Sequence, residues 1–189
     1  MDSAYRPRRT CLSVPGSNRK MIEKAKGLPA DEVFLDLEDA VAPGAKAAAR
    51  ATVAAALAEP GWGAQLRGVR VNDWTTPWTH ADLIEVVAGA GPTLEVVILP
   101  KVTDVSHVQA ADLLLTQLEH THGLPVGRIA IDAQIEDARG LTNVGEIAAH
   151  PRVQALVLGP ADLMASLNTR TLVVGEQPPG GFGRSEGRF

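Results

Sequence analysis

Two acidic residues late in the chain could together hold a divalent cation. Glu136 follows an apolar run at 129–135, and Asp162 stands just after another at 155–158. If the two runs are neighbouring parallel strands, their ends bring the carboxylates within a few ångströms of each other. Like charges that close repel unless a cation lies between them or one is protonated, and two carboxylates with water and substrate oxygens suit Mg²⁺. The alternative is that either acid caps the next helix, for which Asp162 is well placed before Leu163.

A second group of charged residues follows the earlier apolar runs. Arg70 ends a Val-rich run and needs an anionic partner, because an unpaired buried charge is very costly. It either forms a structural ion pair with Glu38 or Asp39, or binds a substrate carboxylate or a developing oxyanion. Asp36, Glu38 and Asp39 form an acidic cluster that is either a solvated loop or the source of a residue that orients metal-bound water. For Lys101 we predict a salt bridge at the same edge rather than an anion contact.

The loop at 15–20 is a candidate phosphate site. It precedes a predicted helix and carries two cations, Arg19 and Lys20, beside backbone N–H groups that a helix start leaves free. Ser17 could equally serve as an ordinary N-cap of that helix. No Ser–His–Asp arrangement is visible.

The elements that must position these residues alternate regularly along the chain. Nearly continuous apolar runs are typical of strands that are buried on both faces of a parallel sheet, and helix-forming segments separate them. The predicted strands are 11–14, 33–37, 68–71, 96–99, 129–135 and 155–158, and the predicted helices are 19–27, 46–58, 81–89, 105–120 and 138–149. This alternation predicts an α/β protein.

Two α/β architectures fit, a doubly wound open sheet and a (β/α)8 TIM barrel. The glycine-rich dinucleotide fingerprint is missing after the first strand, which counts against a Rossmann site. Polar groups follow nearly every strand, as at the active-site rim of a barrel. A barrel typically takes about 250 residues, so we expect an incomplete barrel domain at 1–174 and a Gly/Pro-rich, disordered or foreign tail at 175–189. A truncated or frame-shifted product is preferred to a shortened paralogue or an oligomer that closes the gap.

Composition excludes several functional classes. With 18 Lys+Arg and 22 Asp+Glu, the net charge of −4 argues against a nucleic-acid or anionic-membrane binder. The single cysteine excludes an internal disulfide framework and a cysteine-based zinc cluster. No apolar run reaches the roughly 18 residues of a membrane span, and the first residues lack the apolar stretch of a secretory signal. These features predict a soluble, cytoplasmic protein.

Taken together, these residues resemble the HpcH/HpaI aldolase and citrate lyase beta-subunit family, from Arg9 to about Val174. The resemblance rests on the segments at 12–16, 30–43, 69–72, 99–101, 135–136 and 158–162, with Lys46 and Arg50. It implies a TIM barrel of the phosphoenolpyruvate/pyruvate type that binds Mg²⁺, with Mn²⁺ as the alternative, through Glu136 and Asp162. It also implies an active-site arginine at Arg70, with catalytic support from the acids Asp36, Glu38 and Asp39.

The resemblance further implies a reaction and its partners. Members cleave or form C–C bonds next to an oxo-acid, so we expect cleavage of a citryl-CoA or malyl-CoA type thioester to an oxo-acid and an acetyl thioester. The alternatives are an aldolase that uses a pyruvate enolate and a non-catalytic remnant that still binds metal and ligand. Substrate and CoA contacts are expected from Arg70, Pro160, Ala161, Arg19 and Lys20. Homo-oligomers are expected. In related acyl-CoA lyases the acid that protonates the enolate lies in a C-terminal part, which we expect this sequence to lack.

Overall fold

Six parallel strands form one sheet in chain order, β1-β2-β3-β4-β5-β6. They belong to a computed structural model that describes residues 6–169. The strands are β1 (Cys11–Pro15), β2 (Glu32–Asp36), β3 (Leu66–Arg70), β4 (Val96–Leu99), β5 (Ala130–Ile135) and β6 (Val153–Leu158). All six predicted strands are confirmed, with small shifts at their ends. The predicted boundary at 174 and the tail at 175–189 lie outside the described residues.

Helices follow each strand. They are α1 (Arg19–Lys26), α2 (Lys46–Ala58), α3 (Thr79–Ala90), α4 (Val105–Thr121), α5 (Ala138–Thr142), α6 (Val144–Ala148) and α7 (Pro160–Ser166), and a 3-10 turn at Pro43–Ala45 leads into α2. The single helix predicted at 138–149 is wrong, because the chain breaks at Asn143 into α5 and α6. The Asn143 amide donates to the Thr103 carbonyl at 2.9 Å, and asparagine side chains that bond backbone groups in this way compete with helix continuation.

The two faces of the sheet differ in what covers them. The outer face carries residues such as Leu35, Val69 and Ile131, which pack with helix residues into one large core cluster. The inner face holds a small separate cluster made only of strand residues, namely Phe34, Leu66, Val96, Ile98 and Ala130. Helices on one face only are typical of a barrel wall, whereas a doubly wound sheet has helices on both faces.

The sheet is strongly curved. Arg8 Nε lies 3.1 Å from Glu32 Oε2 on β2 and 2.9 Å from Asp132 Oδ2 on β5. Two strands separated by β3 and β4 can share one guanidinium only if the sheet curls around it. The architecture is therefore the barrel type, with the carboxyl ends of all six strands at one rim. Among residues 6–169, no helix has the length and apolar character needed to cross a membrane.

Candidate active site

Arg70 is anchored at the rim by Asp36. The register between β2 and β3 pairs these two residues directly, and Arg70 donates from Nε to Asp36 Oδ1 at 2.8 Å and from Nη2 to Asp36 Oδ2 at 2.7 Å. Glu38 Oε2 lies 3.4 Å from Arg70 Nη1, and Asp39 Oδ2 lies 4.0 Å from Nη2. The predicted ion pairs with Glu38 and Asp39 are therefore present, but the closest partner, Asp36, was not predicted, because the register between β2 and β3 sets it.

The pKa values of Asp36 and Glu38 are shifted in opposite directions although the two residues are close in the chain. Burial alone would raise the pKa of Asp36, but hydrogen bonds from Arg70 and from the backbone N–H groups of Glu38 and Ala40 lower it overall. Burial raises the pKa of Glu38 to about 7, despite the opposing effects of Lys101 and Arg70. Asp36 therefore stays ionised, while Glu38 can exchange a proton near neutral pH.

Lys101 forms the predicted salt bridge at the rim. Its Nζ donates to Glu38 Oε1 at 2.6 Å. It also lies 3.8 Å from Asp39 Oδ1 and 3.9 Å from Asp162 Oδ2. Burial would lower the pKa of Lys101, but these carboxylates outweigh burial and raise it, so the ammonium stays charged.

The two proposed metal ligands lie at the same rim and differ in exposure. Glu136 is buried, and it accepts from the Lys101 N–H at 2.8 Å and from Gln134 Nε2 at 2.5 Å. Asp162 stands in the first turn of α7 with a side chain that is 46% exposed. Burial raises the pKa of Glu136, and the nearby Asp162 charge raises it further. The helix-cap alternative fails for both acids, because Asp137 caps α5 and Asp162 makes no capping hydrogen bond.

The donor set suits a magnesium ion that keeps part of its water shell. Residues 6–169 contain no group of three or more His, Cys, Asp or Glu side chains placed to hold a metal. Two carboxylates at an open rim nevertheless match Mg²⁺, which takes one or two protein carboxylates and completes its shell with water and substrate oxygens. Gly159 leaves room for Glu136, since a Cβ at Gly159 would stand 2.4 Å from Glu136 Oε2. The residues present therefore fit the ion.

Buried polar residues behind the rim hold the loops after β2 and β3. Lys46 Nζ donates to the carbonyls of Leu37 at 2.7 Å and Glu38 at 2.6 Å. Asp82 accepts from the N–H of Asn72 at 2.9 Å, from its Nδ2 at 2.7 Å and from Arg50 Nε at 2.9 Å. The sequence assigned these residues no role. One feature of the sequence could have indicated this role: Lys46 and Arg50 lie one turn apart in α2, an Ala-rich helix that packs on the sheet.

The remaining predicted binding residues lie around the same rim or on α1. Pro160 and Ala161 open α7 directly before Asp162 and are exposed. Arg19 is paired with Glu23 at 2.6 Å and also with Glu59, and Lys20 is exposed on α1.

The expected cap at the start of α1 is wrong. Asn18, not Ser17, caps the helix by accepting from the Met21 N–H at 3.1 Å. That bond uses one of the N–H groups that a phosphate would bind.

Curated relatives of this chain are CoA-thioester enzymes. The chain is 39% identical over 171 residues to the L-malyl-CoA/beta-methylmalyl-CoA lyase of Cereibacter sphaeroides, covering 90% of this chain and 54% of that protein. It is 39% identical over 165 residues to a (3S)-malyl-CoA thioesterase of the same species, covering 87% and 53% respectively. The chain thus spans about half the length of the curated relatives it matches.

Solved structures share the fold. A citrate lyase from Burkholderia xenovorans has a TM-score of 0.76 at 22% identity, covering 85% of this chain and 51% of that one. The citrate lyase beta subunit of M. tuberculosis, complexed with oxaloacetate and magnesium, has a TM-score of 0.67 at 28% identity, covering 92% and 67% respectively. The HpcH/HpaI aldolase/citrate lyase family model matches residues 9–176. With the barrel wall and its rim of acids, this match shows that the chain belongs to the HpcH/HpaI aldolase/citrate lyase family.

Proposed function

We propose that the protein is a Mg²⁺-dependent carbon–carbon lyase that cleaves a malyl-CoA or citryl-CoA type thioester to an oxo-acid and an acetyl thioester. The observation that carries the proposal is the rim itself, where buried Glu136 and open Asp162 stand beside the Arg70–Asp36 pair. The similarity to malyl-CoA lyases supports the thioester class. A cytoplasmic location and a homo-oligomer stay predictions from the sequence.

In this proposal Glu136 and Asp162 hold the metal, with Mn²⁺ as an alternative to Mg²⁺. The bound ion would act as a Lewis acid on the keto oxygen of the oxo-acid. Support comes from the M. tuberculosis relative, which is described as a complex with magnesium and oxaloacetate. Because Lys101 N–H and Gln134 Nε2 each bond one oxygen of Glu136, that carboxylate is held in a single orientation.

Arg70 would bind the substrate's negative charge. Asp36 orients its guanidinium through two bonds, and a guanidinium fixed in this way needs little reorganisation to stabilise developing charge on oxygen. During cleavage the β-hydroxyl loses its proton, the C–C bond breaks, and the electrons pass to the thioester enolate. Glu38 Oε2 is a buried acceptor without a hydrogen-bond partner in the described part of the chain, so we assign it the hydroxyl proton.

The test combines metal binding with turnover. Glu136→Ala should abolish Mg²⁺ binding in calorimetry and with it the release of oxo-acid from malyl-CoA. Glu146→Ala, at an exposed position of α6, is the matched control and should bind Mg²⁺ as the wild type does. Unchanged Mg²⁺ affinity in Glu136→Ala would contradict the ligand assignment.

A second candidate is hydrolysis of the thioester, which the similarity to a (3S)-malyl-CoA thioesterase favours. Product analysis separates the two reactions, since hydrolysis releases free CoA and the intact hydroxy-diacid, whereas cleavage releases an oxo-acid and acetyl-CoA. Turnover of a hydroxy-oxo-acid without CoA would indicate the aldolase alternative. Metal and oxaloacetate binding without any turnover would indicate the non-catalytic remnant.

A further inference from the structure

Lys101 has a strained backbone at the carboxyl end of β4. Its φ is 51°, in the left-handed region, where the Cβ of a non-glycine residue is strained against the backbone. Glycine would occupy this conformation without strain. The conformation has a consequence for the site: the Lys101 N–H points to Glu136 Oε1 at 2.8 Å, while its side chain reaches Glu38 Oε1 at 2.6 Å.

Lys101 connects acids from three strand ends. Glu136 follows β5, Glu38 follows β2, and Asp162 follows β6. The ammonium lies 3.9 Å from Asp162 Oδ2, close enough to neutralise much of that charge. Within residues 6–169, no other lysine or arginine side chain lies within 4.0 Å of the Asp162 carboxylate. Asp162 is thus both the exposed member of the proposed ligand pair and the anion that the ammonium partly neutralises.

We propose that Lys101 is a positioning residue whose ammonium competes with the divalent ion for Asp162, while its backbone N–H orients Glu136. The inference rests on the proposed function in one respect, the assignment of Glu136 and Asp162 as metal ligands. A divalent ion and an ammonium that approach the same carboxylate repel each other strongly in a partly buried site. When the ion binds Asp162, the ammonium keeps its ion pairs with Glu38 and Asp39.

The experiment is Mg²⁺ titration calorimetry on the full chain without substrate. Lys101→Met removes the charge and keeps the backbone N–H, so Mg²⁺ should bind about tenfold more tightly than to the wild type. Lys101→Arg keeps a cation at this position and should stay within about twofold of the wild type. Lys24→Met, at an exposed position of α1, is the control for loss of a lysine elsewhere. If Lys101→Met does not fold, Lys101→Gly, which suits the left-handed backbone, serves the same purpose.

Each outcome decides the inference. A tenfold gain for Lys101→Met, with none for Lys101→Arg or Lys24→Met, supports it even if no variant turns over a thioester, since calorimetry does not depend on the reaction. Equal or weaker binding by Lys101→Met overturns it and leaves the ligand assignment intact. Absence of Mg²⁺ binding in the wild type and in every Lys101 variant overturns the ligand assignment and this inference together.

Discussion

At the scale of single residues, a buried charge at this rim is tolerated where a rigid partner faces it. Asp36 has such a partner in Arg70, and its pKa is lowered although burial opposes this. Glu38 is held less completely, because its Oε2 lies 3.4 Å from Arg70 Nη1 without a hydrogen bond, and burial raises its pKa to about 7. The cost of burying a carboxylate is therefore offset fully at Asp36, which stays ionised, and only partly at Glu38, which exchanges a proton near neutral pH.

Loss of the Asp36 charge should destabilise the fold. Asp36→Asn leaves the mostly buried Arg70 guanidinium without its bidentate partner, and breaking a buried ion pair costs about 3–5 kcal/mol. We expect a loss of about 3 kcal/mol in the free energy of unfolding, measured by urea denaturation. Asp39→Asn is the matched control, because its side chain is 63% exposed and 4.0 Å from Arg70. Equal effects of the two substitutions would contradict the assigned pairing.

Glu32, at the opposite end of the sheet, should make stability depend on pH. Burial, and then the charge of Asp132, raise the pKa of Glu32 from 4.5 to about 7. The Glu32 carboxyl loses its proton near pH 4.5 in the unfolded chain but only near pH 7 in the folded protein. The contribution of Glu32 to stability therefore falls between about pH 4.5 and pH 7. Glu32→Gln should therefore gain stability relative to the wild type at pH 8, and less at pH 5.

Urea denaturation at the two pH values measures this effect. Glu146→Gln, at an exposed position of α6, is the control, and its difference from the wild type should be the same at both. If Glu32→Gln follows the wild type at pH 5 and pH 8 alike, the raised pKa is not the cause.

At the scale of elements, the connection from β6 to α7 depends on one glycine. The Gly159 N–H donates to the Ile135 carbonyl at 3.0 Å, which draws this turn against β5. A Cβ at Gly159 would stand 2.4 Å from Glu136 Oε2 and 2.6 Å from Glu136 Cβ, closer than real Cβ contacts. The turn that carries Asp162 can therefore lie beside Glu136 only if residue 159 lacks a side chain.

Gly159→Ala should displace Glu136 and weaken Mg²⁺ binding at least tenfold in calorimetry. Gly145→Ala in α6 has no atom within 4 Å of the added Cβ and should leave binding unchanged. In a helix, this control exchange should also stabilise the fold by up to about 1 kcal/mol. Wild-type Mg²⁺ affinity in Gly159→Ala would show that the close approach is not needed for the site.

At the scale of the whole molecule, the outer face of β6 carries exposed leucines in the part of the chain that the structure describes. Leu156 and Leu158 are 43% and 62% exposed, and within residues 6–169 β6 is hydrogen-bonded to β5 alone. Unpaired strand edges next to exposed apolar side chains favour association with another chain. The predicted homo-oligomer has a candidate surface here.

Association should therefore depend on concentration and on this face. Leu156→Lys should lower the average mass seen by sedimentation velocity at a given concentration, since it places a charge on the strand face. Leu113→Lys is the matched control, because Leu113 is 69% exposed on α4 and does not belong to β6. A monomeric wild type, or an equal effect of the two substitutions, would argue against this face as the contact.

Much of the fold could be predicted from the sequence because strands and helices leave local patterns. All six strands could be predicted from the apolar runs. Because Arg70, Glu136 and Asp162 come at the ends of these runs, they could be predicted to lie at one rim. The split of 138–149 at Asn143 was not predictable in this way, because it depends on a bond to Thr103 in another loop.

The order of residues by itself thus determined the α/β class and the candidate acids, since periodicity and strand ends are properties of neighbouring residues. The tertiary structure alone decided the pairings: that Arg70 binds Asp36, and that Lys101 contacts acids from three strand ends. Such contacts depend on strand register and sheet curvature. Both are set by packing between segments far apart in the chain, where local preferences carry no information.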